Sequence, residues 1–425
     1  MQYSPSSHRS RPRNLEVTTR KAAPWFVIAG IIALVLGLLA PLSGCETLKF
    51  WDRGTKRKAL PPAPLMEFQP QARLHELWRR RVGTVGDDPY VKLIPVVRGK
   101  RLFVATLEGE IHAYDAESGE PLWETDLDLP IRGGPGLGEK AVFVGTSDGD
   151  VVALSQDNGK VLWTAKVSSE VLAVPRERHG VVVVRTIDGR LFGLDREDGA
   201  RRWFYERSVP ILTLRGISTP VFSGDLVISG FDGGQLVAIS IKDGYTVWET
   251  RVALPIGRSD IERMVDIDGE LTVIGNTIYV VTFQGQVAAI DVNSGRTFWK
   301  RDMSSHVGLG VYGENLYVSD EDSHLWTLDR RNGESRWHET KLERRRLTAP
   351  VGFGLDRRTY VAVGDFDGYL HILDGNSGDM VARVHADKKG IANPPIIVRD
   401  TNVLYVYGGS GTLTAFRVIE KETRP

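Results

Sequence analysis

The chain has 425 residues and only one cysteine, Cys45. A lone thiol cannot form an intrachain disulfide, nor can it supply the cysteine pairs of a structural zinc site. Net charge is also missing, because Lys and Arg total 54 and Asp and Glu total 54. No global field draws the molecule to nucleic acid or to an anionic surface, so no nucleic-acid partner is expected. P-loop, nucleophile-elbow and zincin signatures are absent as well. Glycine is plentiful, with 45 residues, which points to many turns and to either several domains or one large repeat array.

The surroundings of the single cysteine explain it. Arg9, Arg11, Arg13, Arg20 and Lys21 precede the apolar run "WFVIAGIIALVLGLL" (25–39), and "LSGC" (42–45) follows. A basic region, an apolar stretch and small residues before a cleavage point form a secretory signal. The tetrad resembles the bacterial lipobox, in which the cysteine becomes the first mature residue and carries lipid. Residues 1–44 are therefore expected to be a lipoprotein signal peptide and Cys45 the lipidation site. Residues 22–40 approach the length of a transmembrane anchor, the competing reading. Glu46 after the cysteine favours the outer membrane, with the protein facing the periplasm. Residues 45–70 lack any sustained period and include Pro61, Pro62 and Pro64, so they read as a lipidated tether.

From residue 71 one sentence is rewritten repeatedly. In "SDGDVVALSQDNGKVLW" (147–163), a turn, an alternating run, a second turn and a tryptophan follow one another. Asp-Gly and Asn-Gly between alternating runs are strong hairpin signals, because the tightest turns need positive φ at their central residues. The first turn recurs at Gly109, Gly149, Gly189, Gly233, Gly285, Ser323, Gly368 and Gly411, at spacings of about 40 to 50 residues that suit propeller blades. The second turn ends in Trp123, Trp163, Trp203, Trp248, Trp299 and Trp337. In the seventh copy Ala382 replaces the tryptophan, and the eighth copy ends before that strand can form. An orphan strand, "RLHELWRRRV" (73–82), carries Trp78 upstream of the first copy. An open array would leave unpaired backbone at both ends. The expected fold is therefore all-β: an eight-bladed β-propeller of four-stranded antiparallel blades over 71–420, its ring closed by the N-terminal strand, with a C-terminal tail at 421–425.

Several motifs are tempting. "GLGVYG" (308–313) satisfies G-x-G-x-x-G but precedes a strand, so no helix N-terminus is available for a pyrophosphate. "DFDG" (365–368) and "DIDG" (266–269) lack the remaining ligands of a calcium loop and read as turns. His112 and His371 fall inside strands with no second ligand at metal spacing, and the tryptophans read as wedges between blades rather than a cofactor platform. No metal site and no cofactor is expected.

Two insertions interrupt the period, at 208–218 and 253–270. Insertions in a repeat of fixed period map to inter-blade loops, where binding residues concentrate. The first brings Leu212, Leu214 and Arg215 together and the second supplies Asp266 and Asp268, a composition suited to a protein partner. An ordinary surface loop with an internal Arg-Asp pair is the alternative.

The lipobox, the repeats, "LTLRG" (212–216) and above all "SDIERMVDID" (259–268) resemble the propeller lipoproteins of the outer-membrane β-barrel assembly machine, the BAM complex. These belong to the propellers named for similarity to quinoprotein dehydrogenases. The resemblance implies a non-catalytic scaffold that binds the POTRA region of the insertase BamA. It also implies contact with other BAM subunits and support for assembly of nascent β-barrel proteins. By motif match, Leu212, Leu214, Arg215, Asp266 and Asp268 take the insertase-contact positions. The competing class is a dehydrogenase using pyrroloquinoline quinone and calcium. Such enzymes stack the quinone on a disulfide between adjacent cysteines, which this chain cannot form.

Overall fold

The computed structural model describes residues 60–86, 90–210, 212–215, 218–399 and 401–421. The leader at 1–44, Cys45 and residues 422–425 lie outside the described residues. Every regular element in the described part is a β-strand, and the strands form eight sheets around a ring. Blade 1 consists of Val96–Arg98, Arg101–Ala105, Glu110–Asp115 and Pro121–Asp126, from the channel outward, and the pattern repeats to blade 7, Val351–Leu355 to Met380–His385. Blade 8 takes Ile396–Val398, Val403–Tyr407 and Thr412–Glu420 from the C-terminus and Ala72–Arg81 from the N-terminus. Ala72 pairs with Glu420 and Arg81 with Thr412, closing the ring as the orphan Trp78 strand predicts.

Middle strands such as Ala141–Thr146 are buried on both faces, because a neighbouring blade covers each side of the sheet. Outer strands such as Val161–Lys166 face solvent over most of their length, with Trp163 turned inward. One extra residue interrupts the ladder just before the tryptophan position in all eight outer strands, as between Ala113 and Tyr114 opposite Trp123. Such a bulge re-aims the next side chain. Here it turns each indole toward the next blade. The Trp78 ring lies against Gly119, where a Cβ would come within 2.5 Å of it and where φ is +70°. Its Nε1 donates to the Ala116 carbonyl at 3.1 Å. Trp123, Trp163, Trp203, Trp248, Trp299 and Trp337 donate to the next blade's turn in the same way.

The missing seventh tryptophan now has a physical reason. Blade 8 has no turn between its last two strands, because those strands come from opposite ends of the chain. The strand Thr412–Glu420 instead runs straight on beside Ala72–Arg81 and offers no exposed turn carbonyl. Blade 7 compensates internally. The residue opposite the tryptophan position is small elsewhere, as with Ala113, Ala153 and Gly193, whereas opposite Ala382 it is the fully buried Ile372.

Ser323 adopts φ +66° and does the work of the absent first-turn glycine. The fourth copy is one residue out of the register read from sequence. Gly234, not Gly233, accepts the bond from Val252 that Gly149 accepts from Val167.

Two segments are more ordered than the sequence suggests. Residues 61–70, read as tether, lie against blades 6 and 7. Ala63 donates to Glu343, Arg345 donates to the Ala63 carbonyl, Arg383 donates to the Met66 carbonyl, and Leu65 packs on Leu342 and Leu347. Residues 90–95 enter the channel. Lys92–Leu93 pairs in parallel with Gly133 and Gly134, giving blade 2 a fifth, innermost strand.

Candidate partner interface

The first-turn glycines pack on the connections that leave their own blades, Gly149 on Ser169 and Gly189 on Val209, so first turns and inter-blade loops share one face of the ring. Both insertions lie on that face, between blades 3 and 4 and between blades 4 and 5. Leu212 is 42 % exposed, Leu214 half-buried and Arg215 exposed. The Arg215 guanidinium meets Glu170 of the preceding connection at 2.6 Å, tying two rim loops together. The second insertion exposes Leu254, Ile256 and Ile261, Ile256 to 77 %. The sequence reading missed these three. An aliphatic residue left in water on an inserted loop was the available signal.

Asp266 and Asp268 are not at the surface. Their exposures are 1 % and 4 %, so neither offers its carboxylate to a partner directly. The cause is Ile267, whose side chain is clamped on Gly230 of the blade 4 strand Leu226–Phe231 and draws its neighbours inward. Asp266 works from below. Oδ2 accepts the Leu214 amide at 2.7 Å and Oδ1 accepts the Gly233 amide at 3.1 Å, while its own carbonyl accepts the Phe283 amide at 2.9 Å. One residue thus fixes the first insertion to the turns of blades 4 and 5.

Asp268 lies deeper, beside the channel. Neither of its carboxylate oxygens accepts a hydrogen bond among the described residues. Its carbonyl accepts the Lys92 ammonium at 2.8 Å. Lys92, Arg176, Asp268, Glu270 and Asn393 line a channel cavity of about 360 Å³, in which Arg176 pairs with Glu270. Arg185 is fully buried behind them, 4.1 Å over the Phe231 ring. Loss of water, reinforced by Asp266, pushes the Asp268 carboxyl up to about 7. Desolvation also raises Asp232 to about 6 and, working against its two amide bonds, raises Asp266. The same burial brings Lys92 down to about 8, opposed by Glu270 and Asp268.

The remaining polar motifs are structural. Asp365 of "DFDG" holds Arg345 at 2.7 Å and His371 at 2.9 Å, while Asp367 takes the other end of the same guanidinium at 2.8 Å. His112 lies between Glu110 and Glu124.

A family model described as outer membrane protein assembly factor BamB matches residues 75–133 and 128–339. The chain belongs to the BamB family. A BamB of Pseudomonas aeruginosa is 47 % identical over 386 residues, 91 % of this chain and 98 % of the relative. A BamB of Alkalilimnicola ehrlichii is 50 % identical over 344 residues, 81 % and 88 % of the two chains. Among solved structures, BamB of Moraxella catarrhalis superposes with a TM-score of 0.73 at 29 % identity, covering 81 % of this chain and 99 % of its own. A quinohemoprotein alcohol dehydrogenase of Comamonas testosteroni reaches 0.62 at 14 % identity, over 83 % of this chain and 77 % of its own, a likeness of fold alone.

Proposed function

We propose that this chain is a non-catalytic scaffold of the outer-membrane β-barrel assembly complex. In this reading it is held at the outer membrane by lipid on Cys45 and faces the periplasm. Its inserted loops bind the POTRA region of BamA, in company with the other subunits, and so assist the assembly of nascent barrel proteins. The carrying observation is that one face of a rigid ring presents Leu212, Leu214 and Arg215 on a loop clamped by the buried Asp266. Apolar anchors beside an arginine, held in place before binding, suit a protein partner, because little loop entropy is then lost on docking. Leu212, Leu214 and Arg215 make the contact, and Asp266 holds their loop from beneath through the Leu214 amide.

The test is site-specific photocrosslinking from position 215 in intact cells, with the adduct identified by mass spectrometry. An adduct with the POTRA region is expected. A correctly localised, well-expressed protein that gives adducts only elsewhere would refute this docking face.

A further inference from the structure

The loops rest on a buried group of charges whose members come from distant parts of the chain. Asp232, Asp266 and Asp268 face Arg185 from within blades 3 to 5, and Arg176 and Glu270 pair at the channel wall. Lys92 alone comes from outside these blades. The segment 90–95 brings it across the channel, anchored by the fully buried Leu93 and by the parallel pairing with Gly133 and Gly134. Its ammonium donates to the backbone of Asp268, whose carboxylate has no hydrogen-bond partner among the described residues. A buried carboxylate that loses its compensating charge must take up a proton or draw the local segment toward water, and either change alters the packing around it. Here Asp268 is two residues from Asp266, with only Ile267 between them, and Asp266 holds the Leu214 amide. Any displacement of Asp268 would therefore reach the loop.

We infer that Lys92 is a positioning residue for the partner loops: it counters the buried Asp268 and so fixes the short segment from which Asp266 holds Leu214. The segment 90–95 and the docking face are then one mechanical unit. This inference rests on the docking role proposed above, and the experiment separates the two.

Hydrogen exchange at the Leu214 and Gly233 amides in the isolated protein reports the grip of Asp266 without any partner. Lys92→Met should speed both by roughly tenfold or more, the value of a lost hydrogen bond to a carboxylate. Amides of the blade 7 core, such as Ile372, should keep their protection, and capture of the POTRA region should weaken in parallel. The double variant Lys92→Met with Asp268→Asn removes both charges and should restore slow exchange and capture. Unchanged exchange in a folded Lys92→Met protein overturns the inference, as does fast exchange that Asp268→Asn fails to reverse. If Lys92→Met does not fold, recovery of the fold in the double variant supports the inference and an unfolded double variant overturns it. If exchange behaves as expected while even the parent protein captures no POTRA region, the docking reading fails and the role of Lys92 in ordering the loop stands.

Discussion

Replacing Ala382 with tryptophan would restore the residue that every other blade carries at that position, and a consensus argument predicts stabilisation. The structure predicts the reverse. Ala382 is buried opposite Ile372, where the other blades place alanine, glycine or threonine, or in blade 8 Ala415. An indole introduced there meets a side chain already filling its space, and overpacking of this kind costs about 1–3 kcal/mol. Its N–H also finds no turn carbonyl, because blade 8 runs straight on beside Ala72–Arg81, and a buried unpaired donor costs about 1–3 kcal/mol more. The expected loss is about 2–6 kcal/mol. With roughly 360 ordered residues and about 2.1 cal/mol/K of unfolding entropy per residue, that lowers Tm by about 3–8 °C. Differential scanning calorimetry reads this directly. Adding Ile372→Ala should recover the packing part of the loss and leave the unpaired donor. If Ala382→Trp alone matches or exceeds the parent Tm, the account of why the seventh tryptophan is missing is wrong.

Asp268→Asn should change how stability depends on pH. The folded-state value of about 7 lies above the unfolded one near 3.8, so the fold binds the extra proton and parent stability falls as pH rises from about 4 to 7. The stability of the variant relative to the parent should therefore fall as pH is lowered through that window, as read from urea midpoints at pH 4.5, 6 and 7.5, and a constant offset would refute the assignment. Arg215→Glu should abolish co-purification with the insertase while leaving the β-rich circular dichroism spectrum intact, and retained co-purification would remove Arg215 from the interface. Cys45→Ser should remove the protein from the outer-membrane fraction, whereas continued fractionation with that membrane would show that lipid is not its sole anchor.

The ring could be read in the sequence because its signals are local. Asp-Gly and Asn-Gly turns fix hairpins, a tryptophan four residues after the second turn marks each outer strand, and Trp78 upstream identifies the strand that closes the ring. Position along the chain, however, does not reveal depth. Asp266 and Asp268 sit in an insertion and have the spacing of an acidic surface pair, yet the packing of Ile267 on Gly230 draws both inside. Residues 90–95, "YVKLIP", show no period. They pair in parallel with a blade that is not their sequence neighbour, a contact no local pattern encodes. The exchange of sizes between Ala382 and Ile372 joins two strands of one blade and became visible only with the register. Residues 61–70 look like a linker because prolines remove donors. Their carbonyls nevertheless remain available, and Arg345 and Arg383 take them.

The joint in blade 8 has a consequence for how the molecule is made. The strand Ala72–Arg81 is among the first parts of the ring to leave the ribosome, and its partner Thr412–Glu420 is the last. Until Thr412–Glu420 emerges, the first strand has no edge to pair with and the growing arc of blades keeps an uncovered apolar face at each end, in a form prone to association with other open chains. Closure therefore waits on the strand Thr412–Glu420. A chain cut before Thr412 would lose the strand that holds both ends together, and would present to the cell as an unfinished protein however well its first seven blades had formed.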